Sequence, residues 1–356
     1  MLFVVACGGT GGHVFPGMEV ARELRRRGRE VEVWFSGRDI EASGLGDWDG
    51  VVFSTGARPI SLKGAPHLIR SFFRCDTRVA KRRPAVLLAM GSYSSLPPVI
   101  AARLRRVPIV LHEANAVPGK AVELLSRHAE LTATSFAETE NWLPARRVKC
   151  TGLPVRRELV GCARFDDAPA GVFTVFVTGG SQGAHQLNRL ASQALCLLKQ
   201  SGVDDLYVIH QTGRADEAAV RKTYAAAGVN AMVRPFLSEI GRAYATADLV
   251  IARAGASTCF ELCLVGRPAL LIPLPSAVRN HQHANAEALV RRGGADEGIQ
   301  RELTARSIMR YVLNKKNNPQ SLAKMRESLL SMAVPDAASR VADELERVAG
   351  LKAALS

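Results

Sequence analysis

Glycine and hydroxyl side chains gather in short loops that directly follow apolar runs of the sequence. The first loop, GGTGGH at residues 8–13, comes after the run LFVVAC. Glycines after a strand let backbone amides approach a phosphate, and the helix that follows offers the positive end of its dipole. His13 closes this loop. It is either a helix cap or packed ring, or a group that contacts phosphate or takes part in catalysis, and its place favours the second interpretation.

Two further loops of the first half have the same character. GSYSSLPP supplies Gly91, Ser92 and Ser94 at the start of a helix, and HEANAVPG places Glu113 and Asn115 just past a strand. Each of these loops can simply cap a helix. The two phosphate-type loops GGTGGH and GSYSSLPP in one domain nevertheless suggest a ligand with several phosphates, such as a diphosphate. The carboxylate of Glu113 and the amide of Asn115, at a strand end, can orient a sugar hydroxyl.

The second half of the chain holds two more loops of this kind. TGGSQGA places Ser181 and its neighbouring amides where they can meet a phosphate, and RAGASTCFEL runs from a strand into a helix that carries Glu261. A helix N-terminus favours anions, while an acid there also suits the ribose hydroxyls of a nucleotide. Alternatively, Glu261 only stabilises the helix dipole, which is worth about 0.3–1 kcal/mol. Gln282 lies at the amide-rich start of a later helix.

The first loop does not match the dinucleotide-binding fingerprint. Counted from Gly9, the pattern GxGxxG requires a glycine where the chain has Val14, and no acid closes the second strand. An NADP-dependent enzyme with Arg38 on the 2′-phosphate is the alternative that this loop leaves open.

These loops belong to a repeated alternation of strands and helices. Gly28 stands where a glycine ends the first helix, and the whole pattern restarts with FTVFVTG at 173–179. Such alternation implies parallel sheets flanked by helices, with ligands beyond the carboxyl ends of the strands. We predict an α/β fold of two doubly wound, Rossmann-like domains facing a central cleft. The domains are predicted at 1–156 and 157–334, with an amphipathic helix at 335–356 that returns to the first domain.

Composition limits the class of protein and its compartment. The 356 residues suffice for about two domains, and 47% hydrophobic with 22% charged residues exclude a disordered chain. Seven cysteines, an odd number without a CxxC pair, indicate a reducing compartment. No apolar run approaches the roughly 18 residues of a membrane-spanning helix. We therefore expect a protein of the cytosol or of the cytoplasmic face of a membrane.

The net charge of +14 is concentrated in one stretch of the chain. Between residues 58 and 106, eleven Lys or Arg stand against a single acid, Asp76. One surface should therefore be strongly positive, and its partner could be an anionic lipid, a nucleic acid or a phosphorylated substrate.

The stretch 67–83 within this basic region predicts a helix on which apolar and cationic side chains repeat. Its apolar members share one face, with cations on neighbouring turns: Leu68, Ile69, Phe72 and Phe73, with Arg70 and Arg74. An apolar stripe usually packs in a core. Aromatic residues flanked this densely by cations favour a helix at a membrane surface, where each cation contributes about 1 kcal/mol near anionic lipid.

Taken together and in this order, several motifs resemble the MurG family of N-acetylglucosamine transferases: GGTGGHVFP, GSYSSLPP, HEANAVPG, TGLPVR, TGGSQGA and RAGASTCFEL followed by NHQHANA. The resemblance is spread over most of residues 8–285. It implies a GT-B fold, with an N-terminal domain for a lipid-diphosphate acceptor and a C-terminal domain for UDP-N-acetylglucosamine (UDP-GlcNAc). Residues 39–55 match no recognisable part of the family, and Ser92 stands where glycine is common.

The resemblance also implies a reaction, its partners and its place in the cell. N-acetylglucosamine passes with inversion from UDP-GlcNAc to the C4 hydroxyl of the muramyl sugar of lipid I, giving lipid II for peptidoglycan synthesis. The partners are UDP-GlcNAc, the lipid-linked muramyl-pentapeptide acceptor and an anionic membrane surface, without nucleic acid. The enzyme is then peripheral at the cytoplasmic face of the cell (inner) membrane.

Residue roles follow from the same resemblance. It assigns the donor UDP-GlcNAc to fourteen residues: Thr10, Gly11, Gly12, Asn115, Arg156, Ser181, Leu237, Ala256, Ser257, Thr258, Cys259, Phe260, Glu261 and Gln282. Leu237 is the residue implied beside the uracil ring. The acceptor diphosphate is assigned to Gly91, Ser92 and Ser94.

In this reaction a base removes the proton of the acceptor hydroxyl, which attacks C1 of the sugar as UDP leaves. His13 is the first candidate for the base and Glu113 the second. Loop amides and helix N-termini are expected to stabilise the leaving diphosphate without a cofactor or a metal. The string DWD at 47–49 looks like a DxD metal motif, and we interpret it as chance.

Three alternatives to the transferase remain open at the level of sequence. A UDP-GlcNAc epimerase of the same fold would need neither a lipid acceptor nor the basic apolar helix. A nucleic-acid-binding protein would use the basic stretch and would show steeply salt-dependent binding, but it leaves the phosphate and sugar loops unexplained. A binding module without catalysis would keep its function when His13 and Glu113 are each replaced by alanine.

Overall fold

The computed structural model describes six parts of the chain: residues 1–37, 41, 44–57, 65–143, 147–180 and 183–350. The chain divides into two compact units. Unit 1 is Met1–Arg156 with Val334–Ser356, and unit 2 is Arg157–Ala333. Each unit is built on one parallel sheet flanked by helices, which confirms the predicted doubly wound α/β class.

Unit 1 contains a seven-stranded sheet in the described residues. Its strands are β1 (Leu2–Ala6), β2 (Glu30–Phe35), β3 (Val51–Ser54), β4 (Val86–Ala89), β5 (Ile109–Glu113), β6 (Leu131–Thr134) and β7 (Val148–Cys150). Its α-helices are α1 (Gly11–Arg26), α2 (Ala65–Arg82), α3 (Leu96–Leu104), α4 (Lys120–Ser126) and, from the C-terminal segment, α12 (Ala337–Val348). The strand order β3-β2-β1-β4-β5-β6-β7 changes direction between β1 and β4.

Unit 2 has a six-stranded sheet in the part of the chain that is described. Its strands are β8 (Phe173–Thr178), β9 (Leu206–Gln211), β10 (Asn230–Arg234), β11 (Leu249–Ala252), β12 (Ala269–Leu271) and β13 (Ala295–Glu297). Its α-helices are α5 (His185–Gln200), α6 (Glu217–Ala226), α7 (Ile240–Thr246), α8 (Ala256–Val265), α9 (His281–Val290), α10 (Ala305–Lys316) and α11 (Pro319–Ser331). The order β10-β9-β8-β11-β12-β13 changes direction between β8 and β11.

The first strand shows why strands of these sheets are continuous apolar runs in the sequence. All of β1 is buried, because Phe3 and Val5 pack on one face of the sheet and Val4 and Ala6 on the other. A parallel sheet covered by helices on both faces has no solvent side, so its strands do not alternate between apolar and polar residues. Gly28, just past α1, has a φ of +74°, as expected for the glycine that ends a helix.

The C-terminal helix α12 packs against α1 in unit 1. Val341 and Leu345 enter the same buried cluster as the residues of α1. Arg27, at the end of α1, donates to the carboxylates of Asp343 and Glu346 at 2.9 and 2.8 Å. Apolar contact and paired charges together hold this helix in unit 1, although more than 300 residues separate it from α1 along the chain.

Helix α2 is tied to the sheet by a fully buried carboxylate in β2. Glu32 is 0% exposed and accepts hydrogen bonds from Arg78 at 2.8 and 3.0 Å, from Arg82 at 2.7 Å and from the Trp34 indole at 3.2 Å. Burial acts to raise the pKa of Glu32, but the hydrogen bonds outweigh it and leave the pKa below its ordinary value. The carboxylate of Glu32 therefore neutralises part of the positive charge of residues 58–106, a stretch in which Asp76 is the single acid.

We predict that Glu32→Gln destabilises unit 1 by about 2–4 kcal/mol, because two partly buried guanidinium groups lose their countercharge. All three tryptophans of the chain lie within residues 1–156, so tryptophan fluorescence during urea unfolding reports on this unit alone. Glu30→Gln is the matched control. Glu30 pairs with Arg82 from an exposed position on the same strand, and its loss should cost less than about 0.5 kcal/mol.

The same measurement has a pH signature. A carboxyl whose pKa is depressed by folding stabilises the folded state above its unfolded pKa, and this stability is lost as the pH falls through the folded pKa. The difference in unfolding free energy between the wild type and Glu32→Gln should therefore shrink in acid. Equal stability of the two proteins at neutral pH would contradict the role of Glu32.

Candidate functional site

The glycine loops of unit 1 meet at the carboxyl ends of neighbouring strands. Strands β4, β1 and β5 carry these loops, and β4 pairs with both of the others. The Ser94 hydroxyl donates to the Gly8 carbonyl at 2.6 Å, which joins the first loop to the second. A Cβ placed on Gly91 would lie 3.7 Å from Cδ2 of His13. The sheet changes direction between β1 and β4, and such switch points are where α/β sheets bind ligands.

His13 lies half-buried in the first turn of α1, and its Nδ1 is 2.9 Å from the Thr10 hydroxyl. When Nδ1 donates to that hydroxyl, Nε2 holds the lone pair and can accept a proton. Thr10 is the N-cap of α1, and Gly11 and Gly12 open the helix. The amides of this first turn lie at the positive end of the helix dipole, so the loop can combine a base with anion binding.

Glu113 is buried at the end of β5, where its carboxylate holds the following loop. It accepts hydrogen bonds from the backbone N–H groups of Asn115 and Gly119, both at 2.9 Å, and from the Asn115 side chain at 3.1 Å. Burial raises the pKa of Glu113, and these hydrogen bonds offset only part of the shift. Both carboxylate oxygens are therefore engaged in shaping the loop that carries Asn115.

Glu41, which no sequence motif marks, accepts hydrogen bonds from backbone amides in and beside the first loop. The buried carboxylate of Glu41 accepts from the N–H groups of Gly9 at 3.0 Å, Ser36 at 3.0 Å and Gly37 at 2.6 Å. An internal anion thus takes donors that a phosphate could otherwise meet. No motif marks Glu41, because it lies in the stretch 39–55, where the sequence showed no recognisable family motif.

Ser92 has a φ of 69°, in the left-handed region that residues with a Cβ rarely adopt. This conformation is the physical reason why glycine suits the position and why serine there departs from the MurG pattern. The first loop packs closely against Ser92, since a Cβ on Gly9 would lie 2.9 Å from the Ser92 hydroxyl.

Unit 2 has a pocket of about 590 Å³ at the carboxyl ends of β8, β11 and β12. Segments after β8, β11, β12 and β13 line it, and its polar side chains are His185, Gln186, Arg253, Ser276, Thr258, Gln282 and Gln300. The N-termini of α5 and α8 both open at this pocket, so it favours an anionic ligand. Because the sheet changes direction between β8 and β11, this pocket also lies at a switch point.

The glycine loop after β8 is packed too closely for any side chain. Gly183 has a φ of +75°, and a Cβ there would lie 2.1 Å from the carbonyl oxygen of Thr212. Only glycine fits at this point, which explains this part of the TGGSQGA motif. Ser181, the residue predicted to meet a phosphate, lies outside the described residues.

The predicted nucleotide-contacting residues of α8 divide between the pocket and the core. Thr258 lines the pocket, and Ala256 and Ser257 open the helix after Gly255. The side chains of Cys259 and Phe260 are buried, and Glu261 is buried where it accepts a hydrogen bond from the Tyr244 hydroxyl at 2.9 Å.

The other predicted donor contacts lie on separate elements. On α9, Gln282 lines the pocket, and its Oε1 accepts from the Leu274 amide at 2.9 Å. Leu237 is buried after β10, and its amide donates to Gln211 at 3.0 Å. Five predicted contacts belong to unit 1: Thr10, Gly11, Gly12, Asn115 and Arg156. The Arg156 guanidinium lies 5.0 Å from the centre of the Phe15 ring.

Arg253 is a pocket residue that sequence reasoning missed. Its buried guanidinium donates to the carbonyls of Ile272 at 3.0 Å and Pro273 at 3.2 Å and to the Gln300 side chain at 2.6 Å. Burial lowers the pKa of Arg253, but an arginine keeps its charge even so. Arg253 thereby holds the loop after β12 against the pocket. The available signal was its place at the head of the RAGAST motif.

Helix α2 forms as predicted, but its apolar side chains do not make one outward stripe. Ile69 and Phe73 are 60% and 61% exposed, one turn apart, whereas Phe72 packs against the core of unit 1. Phe72 is half-buried and packs on the core, so its contact with a membrane stays a prediction. Leu68 is half-buried, and Arg70 and Arg74 are exposed beside the pair formed by Ile69 and Phe73.

In the ranges given above, no helix is both long and apolar enough to cross a membrane. The same residues contain no group of three or more His, Cys, Asp or Glu side chains placed to hold a metal ion. Asp47 and Asp49 of the DWD string instead pair with Arg22 and Arg25 of α1.

Comparison with known proteins agrees with this division into units. Residues 3–134 match the glycosyltransferase family 28 N-terminal domain, and residues 174–341 match the family's C-terminal domain. A protein of Pelobacter propionicus, named UDP-N-acetylglucosamine–N-acetylmuramyl-(pentapeptide) pyrophosphoryl-undecaprenol N-acetylglucosamine transferase, is 36% identical over 375 aligned residues. The alignment covers 97% of the chain and 99% of that protein. A Solibacter usitatus protein of the same name is also 36% identical, with coverages of 98% and 96%.

Solved structures with the same fold differ widely in their sequence identity to the chain. The crystal structure of Acinetobacter baumannii MurG is similar to the chain with a TM-score of 0.78 and 30% identity, over 97% of the chain and 99% of that structure. A UDP-GlcNAc 2-epimerase from Neisseria meningitidis reaches a TM-score of 0.72 at only 12% identity, which shows a shared fold alone. Sequence identity and domain matches together decide the family: the chain belongs to glycosyltransferase family 28 and, within it, to the MurG family of N-acetylglucosamine transferases.

Proposed function

We propose that the protein is an inverting glycosyltransferase that moves N-acetylglucosamine from UDP-GlcNAc to the C4 hydroxyl of the muramyl sugar of lipid I, giving lipid II. The observation that carries the proposal is the anion-favouring pocket of unit 2, which lies between two helix N-termini in a chain whose full-length relatives are named for this reaction. Unit 1 supplies a second glycine-loop site, with a histidine, for the acceptor diphosphate.

The donor is proposed to bind with its diphosphate at the N-termini of α5 and α8. Two dipole ends and the loop amides compensate the phosphate charge, so that neither a cofactor nor a metal is required in this scheme. Gln282 is suited to orient the sugar: its Oε1 is occupied by the Leu274 amide, which turns Nε2 into the donor for a sugar hydroxyl. Glu261, held by Tyr244, is assigned to the ribose hydroxyls.

His13 is proposed as the general base and Glu113 as a positioning residue. With Nδ1 donating to Thr10, Nε2 of His13 takes the proton of the acceptor hydroxyl. The acceptor oxygen then forms its bond to C1 of the sugar as the bond from C1 to the diphosphate oxygen breaks, and UDP leaves with the electron pair. Glu113 is less suited to this task because its carboxylate is committed to Asn115 and Gly119.

The protein is further proposed to be peripheral on the cytoplasmic face of the membrane, where the lipid-linked acceptor resides. Ile69 and Phe73 on α2 would enter the interface, and Arg70 and Arg74 would meet anionic headgroups. These four exposed side chains support this proposal better than the complete predicted stripe does, since Phe72 is engaged in the core.

We predict that the purified protein releases UDP from UDP-GlcNAc only when a short-chain lipid I analogue is present, with the disaccharide formed in equal amount. Release of UDP without acceptor would point to an epimerase or a hydrolase. Absence of turnover with an acceptor that a known MurG enzyme accepts would contradict the transferase proposal and favour a binding protein.

The assignment of the base predicts distinct kinetic effects at the two candidate residues. His13→Gln should lower kcat by about 100- to 10,000-fold, because proton transfer to the base is lost. Thr10→Val keeps the imidazole but removes the partner of its Nδ1, so it should lower kcat less and alter the pH profile. Glu113→Gln retains an acceptor oxygen for the loop and should act mainly on KM. Loss of kcat in Glu113→Gln with near-normal kcat in His13→Gln would transfer the role of base to Glu113.

The membrane proposal predicts binding to vesicles that contain anionic lipid. Replacing Ile69 and Phe73 together by serine should weaken this binding at least about tenfold, because two exposed apolar side chains no longer enter the interface. Val160→Ser, at an exposed apolar position in unit 2, is the control and should bind as the wild type does. Unchanged binding of the double variant would contradict the assignment to α2.

A further inference from the structure

A chain of hydrogen bonds runs from the rim of the pocket of unit 2 into its core. His185 is the first residue of α5 and lines the pocket, and its Nδ1 lies 2.7 Å from a carboxylate oxygen of Asp216. The other oxygen of Asp216 accepts from the Asn188 amide at 2.8 Å. Asn188 Oδ1 is 3.1 Å from Nε2 of His210, whose Nδ1 is 2.9 Å from the Tyr224 hydroxyl. Asn188, His210 and Tyr224 are buried, whereas the His185 side chain is 79% exposed.

The direction of every bond in this chain follows from Asn188. Its Nδ2 donates both to Asp216 and to the Thr212 carbonyl at 2.8 Å, so the atom that faces His210 is Oδ1, which can only accept. His210 therefore carries its proton on Nε2, and its Nδ1 accepts from Tyr224. Burial lowers the pKa of His210 to about 3 and raises that of Tyr224 well above its usual value, so neither changes charge near neutral pH.

Asp216 is thereby fixed as an anion that faces His185. Burial acts to raise the pKa of Asp216, but the hydrogen bonds from His185 and Asn188 outweigh it, and the pKa lies below its ordinary value. With Nδ1–H of His185 directed at this carboxylate, the second ring nitrogen, Nε2, is the one available for another partner. It carries a proton, and the ring a positive charge, only in the doubly protonated form.

We infer that His185 is a substrate-contacting residue of the donor site, whose Nε2–H binds a phosphate oxygen of UDP-GlcNAc and stabilises the charge that gathers on the diphosphate as UDP leaves. This inference rests on the proposed function. His185 directly follows the TGGSQGA loop and lies on the rim of the pocket that two helix dipoles make favourable for anions. Because its side chain is exposed at this rim, it can meet a ligand without a rearrangement of the core.

The other charged groups around this pair have defined positions. Glu217 follows Asp216 and is paired with Arg221, and Arg214 lies in the same segment between β9 and α6. Arg189 is one turn along α5 and bonds to Gln193. Across the pocket, Arg253 is committed to Ile272, Pro273 and Gln300.

The test is the affinity of the full chain for UDP-GlcNAc, measured by calorimetry. UDP-GlcNAc is the probe because it carries the diphosphate that His185 is inferred to contact. His185→Ala should bind about tenfold to a hundredfold more weakly than the wild type, because a phosphate oxygen loses a charge-assisted hydrogen bond.

Two variants distinguish a phosphate contact from a structural ion pair. His185→Arg keeps a positive charge at this position and should bind UDP-GlcNAc about as tightly as the wild type. Asp216→Asn removes the ion pair but leaves the histidine, so it should lower the affinity less than His185→Ala does. His128→Ala, at an exposed histidine in unit 1, is the control and should bind as the wild type does.

Two results would overturn the inference in different ways. Equal affinities of the wild type and His185→Ala would reduce the pair with Asp216 to a surface ion pair and leave the proposed function intact. Failure of the wild type to bind UDP-GlcNAc would overturn the proposed function and the role of His185 with it.

Discussion

Two parallel sheets, whose central strands are buried on both faces, impose the constraint on which the rest of the structure depends. Because helices cover the faces of these strands, the loops and helix N-termini that can meet a ligand gather at the carboxyl edge, and the strand order changes direction in both units. Glycine recurs at these edges since the backbones approach closely, as Gly183 does to the Thr212 carbonyl. Anion sites at both edges are a consequence of the architecture.

Carboxylates that are buried or half-buried complete this electrostatic arrangement. Glu32 binds the arginines of α2, Glu41 takes amides beside the first loop, and Asp216 faces His185. Each carboxylate is supplied with several donors, which is the condition for burying a charge at acceptable cost. In the first loop such an anion limits which amides remain for a ligand, whereas in unit 2 it holds a histidine at the rim of the pocket.

The fold itself does not choose the reaction. A 2-epimerase with 12% identity has nearly the same architecture, so the architecture alone does not separate the two classes of enzyme. The transferase proposal depends instead on side chains: the His13–Thr10 pair, the loop held by Glu113, the Gln282 amide fixed by Leu274 and the exposed apolar pair on α2. Membership of glycosyltransferase family 28 favours the transferase over the NADP-dependent and nucleic-acid-binding alternatives.

The sequence by itself determined the fold class, the long strands, the loops after β1, β4, β5, β8 and β11, and the family, because these depend on local periodicity and on glycine within contiguous motifs. Strands β3 and β13 were not predicted, since β3 lies in the stretch 39–55 where no motif was recognised and two of the three residues of β13 are acidic. Only the tertiary structure decided the inward turn of Phe72, the partners of Glu32 and Arg253, and the hydrogen-bond chain from His185 to Tyr224. Those features arise from contacts between residues far apart in the chain, and no local pattern encodes them.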